Sequence, residues 1–442
     1  MIQFYDSLRG EKVPFTKQAG EKVGMYVCGP TVYDFAHLGH GRSAVAFDLI
    51  RRFLEFSGYE VTFTFNTTDI DDKMIDRAAK EGISVDDLAE RIIPEYKADY
   101  AALGVKAPTH NPRATEYVPQ MIRIIQKLEE KGCTYVLEDG VYFDITTFAD
   151  YGKLSHQKLE ELNAGARMEE RKDKRNHQDF VLWKFKKEGE PFWESPWGDG
   201  RPGWHIECSA MSSTLLGDHF DIHGGGLDLK FPHHECELAQ SEAASGTPLA
   251  DIWMHNGYIT VNQEKMSKSL NNFFTLKEIF KEHHPRVVRF FLLSTHYRSP
   301  IEYSTEMLEQ ARNTLKGLDE FYLSHLDGSR ELEGEVDSEL MRAFSEKLQN
   351  DFDVAGALAV LFEWMNQAKT NTQGTLERVN LVLQIFPVDF VVSEEAKVLL
   401  EERETVRAAK DWSRSDALRD QLAGLGYDVD DKKEGSTVKP RI

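Results

Sequence analysis

The most constraining feature of this chain is a strand, turn, helix and strand in immediate succession between residues 24 and 66. Residues 24–28 form an apolar run that stops at Gly29-Pro30, Gly41 to Ser57 carries apolar residues at helical spacing, and Val61 to Asn66 follows Gly58 as a second strand candidate. Side chains repeat every two residues in a strand and every 3.6 in a helix, so this switch of period marks a βαβ unit. Its two parallel strands need a crossover helix and a sheet covered by helices. The chain is predicted to open with an α/β nucleotide-binding fold.

Further along, 84–132 reads as helical, and Thr134 to Ile145 alternates on either side of Asp139-Gly140, a hairpin signal. Residues 150–200 are rich in charge, Gly, Pro and Trp. The α/β rhythm then resumes with a strand at His219–His223 running into Gly224-Gly225-Gly226, a helix at Phe231–Ser245 and a strand at Ile252–His255. After about residue 300 the spacing of Leu308, Ala311, Leu315, Leu318 and Tyr322, and of Val354, Ala357, Leu358, Leu361 and Met365, predicts a helical bundle. Ser413-Arg414-Ser415-Asp416 is expected to cap a helix ending near Gly424–Gly426, before a hairpin that turns at Lys432–Gly435. The expected divisions are 1–114 and 201–260 for the two halves of the α/β domain, 115–200 for an insertion between them, 261–305 for a stem, 306–392 for the bundle and 393–442 for a C-terminal module.

A chain of 442 residues can hold several such units. Its 53 basic residues against 74 acidic ones give a net charge of −21, which excludes a general electrostatic binder of nucleic acid. RNA contact would need local basic surface. Arg403, Arg407, Lys410 and Arg414, at steps that align on one helical face, are a candidate, with a solvated charged face as the alternative. Four cysteines in so long a chain make a poor disulfide framework. Met1 to Phe15 carry charges throughout, and nothing approaches the roughly 20 apolar residues of a membrane span. A cytoplasmic protein with no membrane association is expected.

Two elements could handle a triphosphate. His37-Leu38-Gly39-His40 falls at a predicted helix start, where free N–H groups and the helix dipole favour anions and Gly39 permits close backbone approach. Lys265-Met266-Ser267-Lys268-Ser269 lies in a polar loop between a strand and a helix, and its two ammonium groups could stabilise charge building on a pyrophosphate leaving group. Either element alone is matched by an incidental histidine pair or a solvated lysine loop. Together, in this order on an α/β pattern, they resemble the paired signatures of class I aminoacyl-tRNA synthetases.

A third constellation bears on the substrate. Cys28, Cys208 and the run Phe231-Pro232-His233-His234-Glu235-Cys236-Glu237 offer two thiolates, an imidazole and a carboxylate, a set suited to zinc. His233 and Glu237 lie four apart, on one face of a helix. The long separations leave buried apolar cysteines as the alternative. Three longer stretches bear on the choice: Met25 to Asp34, Gly203 to Met211 and Asp221 to Leu229 closely resemble the cysteinyl-tRNA synthetase family, as does the order of domains.

That resemblance implies a Rossmann-type class I catalytic domain with a connective insertion, a stem bearing the lysine signature, a helical bundle and an anticodon-recognition module. It implies one zinc per chain on Cys28, Cys208, His233 and Glu237, with Cys28 and Trp204 at the cysteine pocket. His37, His40, Lys265 and Lys268 would serve adenylation, with Mg²⁺ accompanying ATP. Asp228 is a candidate for ribose or amino-group recognition, helix capping being its alternative, and Thr68 a candidate pocket residue. The expected partners are ATP, L-cysteine and tRNA(Cys), the expected form a monomer. Zinc selection of the thiol makes an editing domain unnecessary.

Two rival functions share these signatures: a ligase joining cysteine to an aminosugar amine, which needs no RNA-reading tail, and a catalytically silent zinc protein that binds RNA. The intact histidines and lysines and the long C-terminal region argue against both. Cys236 is read as a packed bystander, Cys133 as having no identifiable partner, and His219, Asp221 and His223 as an unfavoured imitation of an iron site. Val438 stands where relatives often carry an aromatic residue. Trp412 is read as a core tryptophan in preference to a stacking platform.

Overall fold

The structure is a computed structural model that describes residues 1–157, 173–266, 273–325, 336–367, 372–387, 390–432 and 435–442. Its contacts divide into two compact units, the first formed by Met1–Ile279, Thr295–Glu302 and Leu348–Asp353, the second by Phe280–Ser294, Tyr303–Lys347 and Val354–Ile442.

The first unit opens on a hairpin of β1 (Gln3–Asp6) and β2 (Glu11–Pro14). The expected βαβ unit follows as β3 (Lys22–Val27), α1 (Leu38–Phe56) and β4 (Glu60–Phe65). Val23, Met25, Tyr26 and Val27 are fully buried, as a strand covered on both faces requires. Helix α1 starts at Leu38, three residues before the predicted Gly41, because His37 caps it. After α2 (Asp72–Glu81), the segment 84–132 read as helical holds α3 (Val85–Ala102) and α4 (Val118–Glu130), with a short 3₁₀ turn before the last.

The hairpin at Asp139-Gly140 forms as β5 (Thr134–Leu137) and β6 (Gly140–Phe143). With β7 (Phe180–Phe185) and β8 (Gly200–Pro202) it makes a four-stranded antiparallel sheet. The α/β pattern resumes with α5 (Trp204–Leu216), β9 (Phe220–Gly226), α6 (Glu235–Ser245) and β10 (Ala250–Asn256). The parallel sheet has the order β10-β9-β3-β4, with Met25 aligned to Phe63 on one side and Ile222 on the other. The chain runs from β3 to β4 on one side and later returns to lay β9 against the other side of β3 before moving outward to β10, so the gap between the C-terminal ends of β3 and β9 is the topological switch point where such sheets bind ligands. A small sheet then combines β11 (Ile259–Val261), β12 (Glu264–Lys265) and β13 (Ile301–Glu302), and α7 (Leu276–Glu282) follows β12 in the chain.

The predicted helix at Phe231–Ser245 begins four residues late. Residues 230–234 form an irregular turn in which Phe231 is extended and the Phe231–Pro232 bond is cis, and regular helix starts at Glu235.

The second unit is helical as expected, with α8 (Pro285–Leu293), α9 (Thr305–Ser324), α10 (Ser338–Gln349), α11 (Val354–Met365) and α12 (Thr372–Leu383). All five residues expected on α9 are buried, whereas on α11 Trp364 takes the core position and Met365 is half-buried. Its C-terminal part consists of α13 (Glu394–Ala408), α14 (Trp412–Gly424) and the hairpin β14 (Tyr427–Lys432) and β15 (Gly435–Pro440), closed around Ala396, Leu422 and Tyr427. Val438 packs against that cluster.

Three expectations change here. Asp411, not Ser413, caps α14, its carboxylate accepting from the Arg414 N–H at 3.1 Å. Trp412, read as core, is 58% exposed. The basic stripe is broken, because α13 ends at Ala408 and Arg414 belongs to α14. Arg403 is fully buried and donates to both carboxylate oxygens of Asp431 at 2.7 and 3.1 Å, Arg407 and Arg419 join the same carboxylate, and Arg414 pairs with Glu402. Among the described residues no helix is long and apolar enough to cross a membrane.

Candidate active site and metal centre

His37 and His40 sit at the N-terminus of α1 in a reciprocal cap. His37 Nδ1 accepts from the His40 backbone N–H and His40 Nδ1 from that of His37, both at 3.2 Å, with the rings stacked 3.6 Å apart. A cap of this kind satisfies two helix-start amides at once. Because both Nδ1 atoms accept, the neutral rings carry their protons on Nε2, where they can donate to an anion. Tyr96 also reaches His40 Nδ1, at 3.2 Å. Gly39 has a second role beyond close approach, since a Cβ there would lie 2.9 Å from the His37 ring.

These histidines face a cleft of about 280 Å³ at the switch point, lined also by Cys28, Trp204, Gly226, Asp228, Tyr258 and Lys265. Lys265 Nζ lies 3.4 Å from Asp228 Oδ2 and 4.3 Å from the centre of the Tyr258 ring. The turn after Asp228 has Leu229 at its cap position, so Asp228 faces the lysine and the cleft. Lys268, with Ser267 and Ser269, lies outside the described residues. A second cavity, of about 330 Å³ behind α1, is lined mainly by aromatic and aliphatic side chains and by none of the predicted site residues.

The sulfur ligand candidates converge at one wall of the cleft. Cys28 ends β3, held by its N–H to the Gly224 carbonyl at 3.0 Å, and Cys208 lies on α5. The sulfurs are 3.5 Å apart, Cys28 Sγ is 3.3 Å from Glu237 Oε1, and Cys208 Sγ is 3.7 Å from His233 Nε2. A tetrahedral zinc with the usual bond lengths spaces its donors about 3.3–3.8 Å apart. His233 Nε2 and Glu237 Oε1 are closer, at 2.8 Å, sharing a proton. All four are buried.

The electrostatics follow from this crowding. Burial opposes ionisation of Glu237, yet His233 and His223 hold it well below the usual carboxylate range. Burial opposes the charge on His233, and Glu237 and Cys208 raise it to about 10. Burial pushes the Cys28 thiol up; Cys208, also desolvated, is brought down by the Cys28 hydrogen bond and His233.

Cys28 and Glu237 could instead group with His223 and His234. The set containing Cys208 fits better because it has two thiolates where the other has one.

Several neighbours were not legible as site residues. His223 donates from Nε2 to Glu237 Oε2 at 2.8 Å while stacked on Trp253. His205 Nδ1 meets His233 Nδ1 at 2.9 Å, and burial beside His233 lowers its pKa to about 3, keeping it neutral. Such partners fix the orientation of metal-ligating side chains. Trp204 stacks on the His233 ring at 4.0 Å. Thr68 is buried with its hydroxyl on Glu207 at 2.8 Å and does not line the cleft.

The imitation iron set is dispersed. His219 meets the Pro248 carbonyl, Asp221 accepts from Gly24 N–H and pairs with Lys17, and only His223 reaches the centre. Cys236 is buried against the Tyr151 hydroxyl at 3.5 Å, and among the described residues Cys133 Sγ reaches only the Lys131 carbonyl, at 3.8 Å.

The sequence models of two families match this chain, the class I (C) tRNA synthetase catalytic domain over residues 14–313 and the cysteinyl-tRNA ligase anticodon-binding domain over residues 391–438. A cysteine–tRNA ligase of Geobacter metallireducens is 45% identical over 484 aligned positions, covering 99% of both chains. That of Carboxydothermus hydrogenoformans is 46% identical, covering 98% of this chain and 99% of its own. Among solved structures, methionyl-tRNA synthetase of Mycobacterium tuberculosis with methionyl-adenylate superposes with a TM-score of 0.60 at 18% identity over 83% of this chain and 88% of its own, a likeness of fold. With a Rossmann-type sheet, a histidine-capped helix at its switch point and full-length relatives of one kind, the chain belongs to the cysteinyl-tRNA synthetase family of class I aminoacyl-tRNA synthetases.

Proposed function

We propose that this protein activates L-cysteine with ATP and transfers it to the 3′-terminal ribose of tRNA(Cys), selecting the thiol with zinc. The observation that carries this reading is the buried pair of thiols, imidazole and carboxylate opening onto the cleft that holds the histidine-capped helix.

In the first step the cysteine carboxylate attacks the α-phosphate of ATP, forming cysteinyl adenylate and releasing pyrophosphate. The Nε2 protons of His37 and His40, the N-terminus of α1 and the ammonium of Lys265 stabilise the charge that develops on the phosphates, an effect strongest where water is excluded. Lys268 is assigned the same task from the sequence. Asp228, within reach of Lys265 and the cleft, serves ribose or amino-group recognition. In the second step a terminal ribose hydroxyl attacks the adenylate carbonyl, giving cysteinyl-tRNA and AMP.

Cys28, Cys208, His233 and Glu237 would hold zinc, a borderline-soft cation that prefers the substrate thiolate to the neutral hydroxyl of serine. Trp204 walls the pocket on the His233 side. Selection of about 10⁴- to 10⁵-fold, the range reached by sites built around one specific polar group, leaves editing unnecessary. Mg²⁺ accompanies ATP, and the working form is a cytoplasmic monomer.

The test is zinc content together with cysteine-dependent ATP–pyrophosphate exchange. Purified protein is expected to carry about one zinc per chain, and Cys208→Ala to lose both zinc and exchange while keeping its circular dichroism. Zinc-free protein that activates cysteine at the full rate would overturn the metal assignment.

A further inference from the structure

Resting on that reading, we propose that Arg42 is a positioning residue which sets the distance between the two phosphate-handling elements, by gripping the chain segment that carries the lysine hairpin. Arg42 lies on α1 two residues after His40 and is 1% exposed. One of its guanidinium nitrogens donates to the carbonyls of Thr295, His296 and Ser299 at 3.1, 2.7 and 3.4 Å. A buried arginine whose guanidinium donates to three carbonyls of one five-residue stretch ties that stretch to the helix through charge-assisted hydrogen bonds.

The same stretch also supports the lysine element. The Gly257 N–H donates to the Tyr297 carbonyl at 2.8 Å, and a Cβ on Gly257 would lie 2.4 Å from the Ser299 carbonyl oxygen, so the two backbones are in direct contact. The stretch continues into β13, which pairs in parallel with β11, Ile259 to Ile301 and Thr260 to Glu302. Glu302 accepts from the Thr260 hydroxyl at 2.5 Å and from the Gln263 N–H at 3.2 Å. Strand β12, which ends at Lys265, hangs from β11. Asp351 holds the stretch from a third direction, accepting from Arg298 at 2.7 Å and from the Tyr297 hydroxyl at 2.8 Å.

One path from His40 to Lys265 therefore runs through Arg42, residues 295–302 and the β11–β12 hairpin. Arg42 faces away from the cleft lining, and its effect on catalysis is exerted through placement of the two signatures relative to each other. A misplacement of about 1 Å remote from the chemistry can cost about 100-fold in rate.

The experiment is ATP–pyrophosphate exchange by the full chain with Arg42→Lys, which keeps the charge and loses the planar fork. The expected result is a fall in kcat of tenfold or more, with KM for cysteine and zinc content within twofold of wild type. A loss of melting temperature with unchanged kcat would overturn the proposal. Thr260→Val and Glu302→Gln act at the far end of the same path and decide the matter should Arg42→Lys not fold. Each is expected to lower kcat at least threefold with KM for cysteine unchanged, and wild-type kcat in both would overturn it. Exchange by the wild type, measured alongside, tests the functional reading separately.

Discussion

The two ends of the cleft are built by opposite strategies. His37 and His40 form a site out of four consecutive residues, whose own backbone amides and rings close a helix cap. The proposed metal centre collects Cys28, Cys208, His233 and Glu237 from a strand end, a helix, an irregular turn and a second helix, and apart from the His233–Glu237 pair they meet only through the fold. The first can form as soon as α1 does. The second exists only when the parallel sheet and the helices on it have packed, so its chemistry depends on the whole α/β unit. The comparison separates two kinds of loss, one confined to phosphate chemistry and one that takes the substrate specificity with it.

The largest expected effect is at the collected end. Cys28→Ser is expected to abolish stoichiometric zinc and reduce cysteine-dependent exchange by about 10³-fold or more, in line with loss of a primary ligand on which binding depends. Atomic absorption and exchange assays read the two outcomes separately. At the local end, His40→Ala is expected to cost about 10²- to 10³-fold in kcat, about 3–4 kcal/mol of transition-state stabilisation, with full zinc content. Zinc loss in His40→Ala would show that the two ends are not independent.

Two smaller effects sharpen the contrast. His223 touches Glu237 and not the cleft, so His223→Ala is expected to weaken zinc affinity about 10- to 100-fold, measured by competition with a chelator, and to recover activity in excess zinc. Asp228→Asn should change least, raising KM for ATP severalfold through loss of its contacts in the cleft, with KM for cysteine held. An equal rise in both constants would place Asp228 in the amino-acid pocket.

What the sequence could convey follows the same division. The βαβ opening, the Asp139-Gly140 hairpin and the histidine signature were legible because each is decided by neighbours within a few residues. His205 and His223 were not, since their roles depend on rings and carboxylates delivered by other elements, and the one spacing signal at His223, its alternation with His219 and Asp221, pointed to a different site. The start of α6 was misread because helical periodicity runs through Phe231, while the backbone there is extended before Pro232, as a residue preceding proline prefers. Asp411 lost to Ser413 as a predicted cap for a similar reason, both being good cap residues two apart. The basic stripe failed because periodicity records which face a residue occupies and not the acidic partner, here Asp431, that occupies it first.

Gly29, next to the proposed ligand Cys28, has a consequence for reading related chains. A Cβ at that position would lie 1.7 Å from the Asn66 carbonyl oxygen, with the Gly29 N–H bound to the Asn66 side chain at 2.8 Å. No side chain fits, so any substitution must push the end of β3, and Cys28 with it, away from β4. A descendant could therefore keep every metal ligand and both ATP signatures and still fall silent through one alanine that touches neither metal nor substrate. An inventory of catalytic residues would count such a gene as intact, and only the closeness of two backbones would reveal it as a relic.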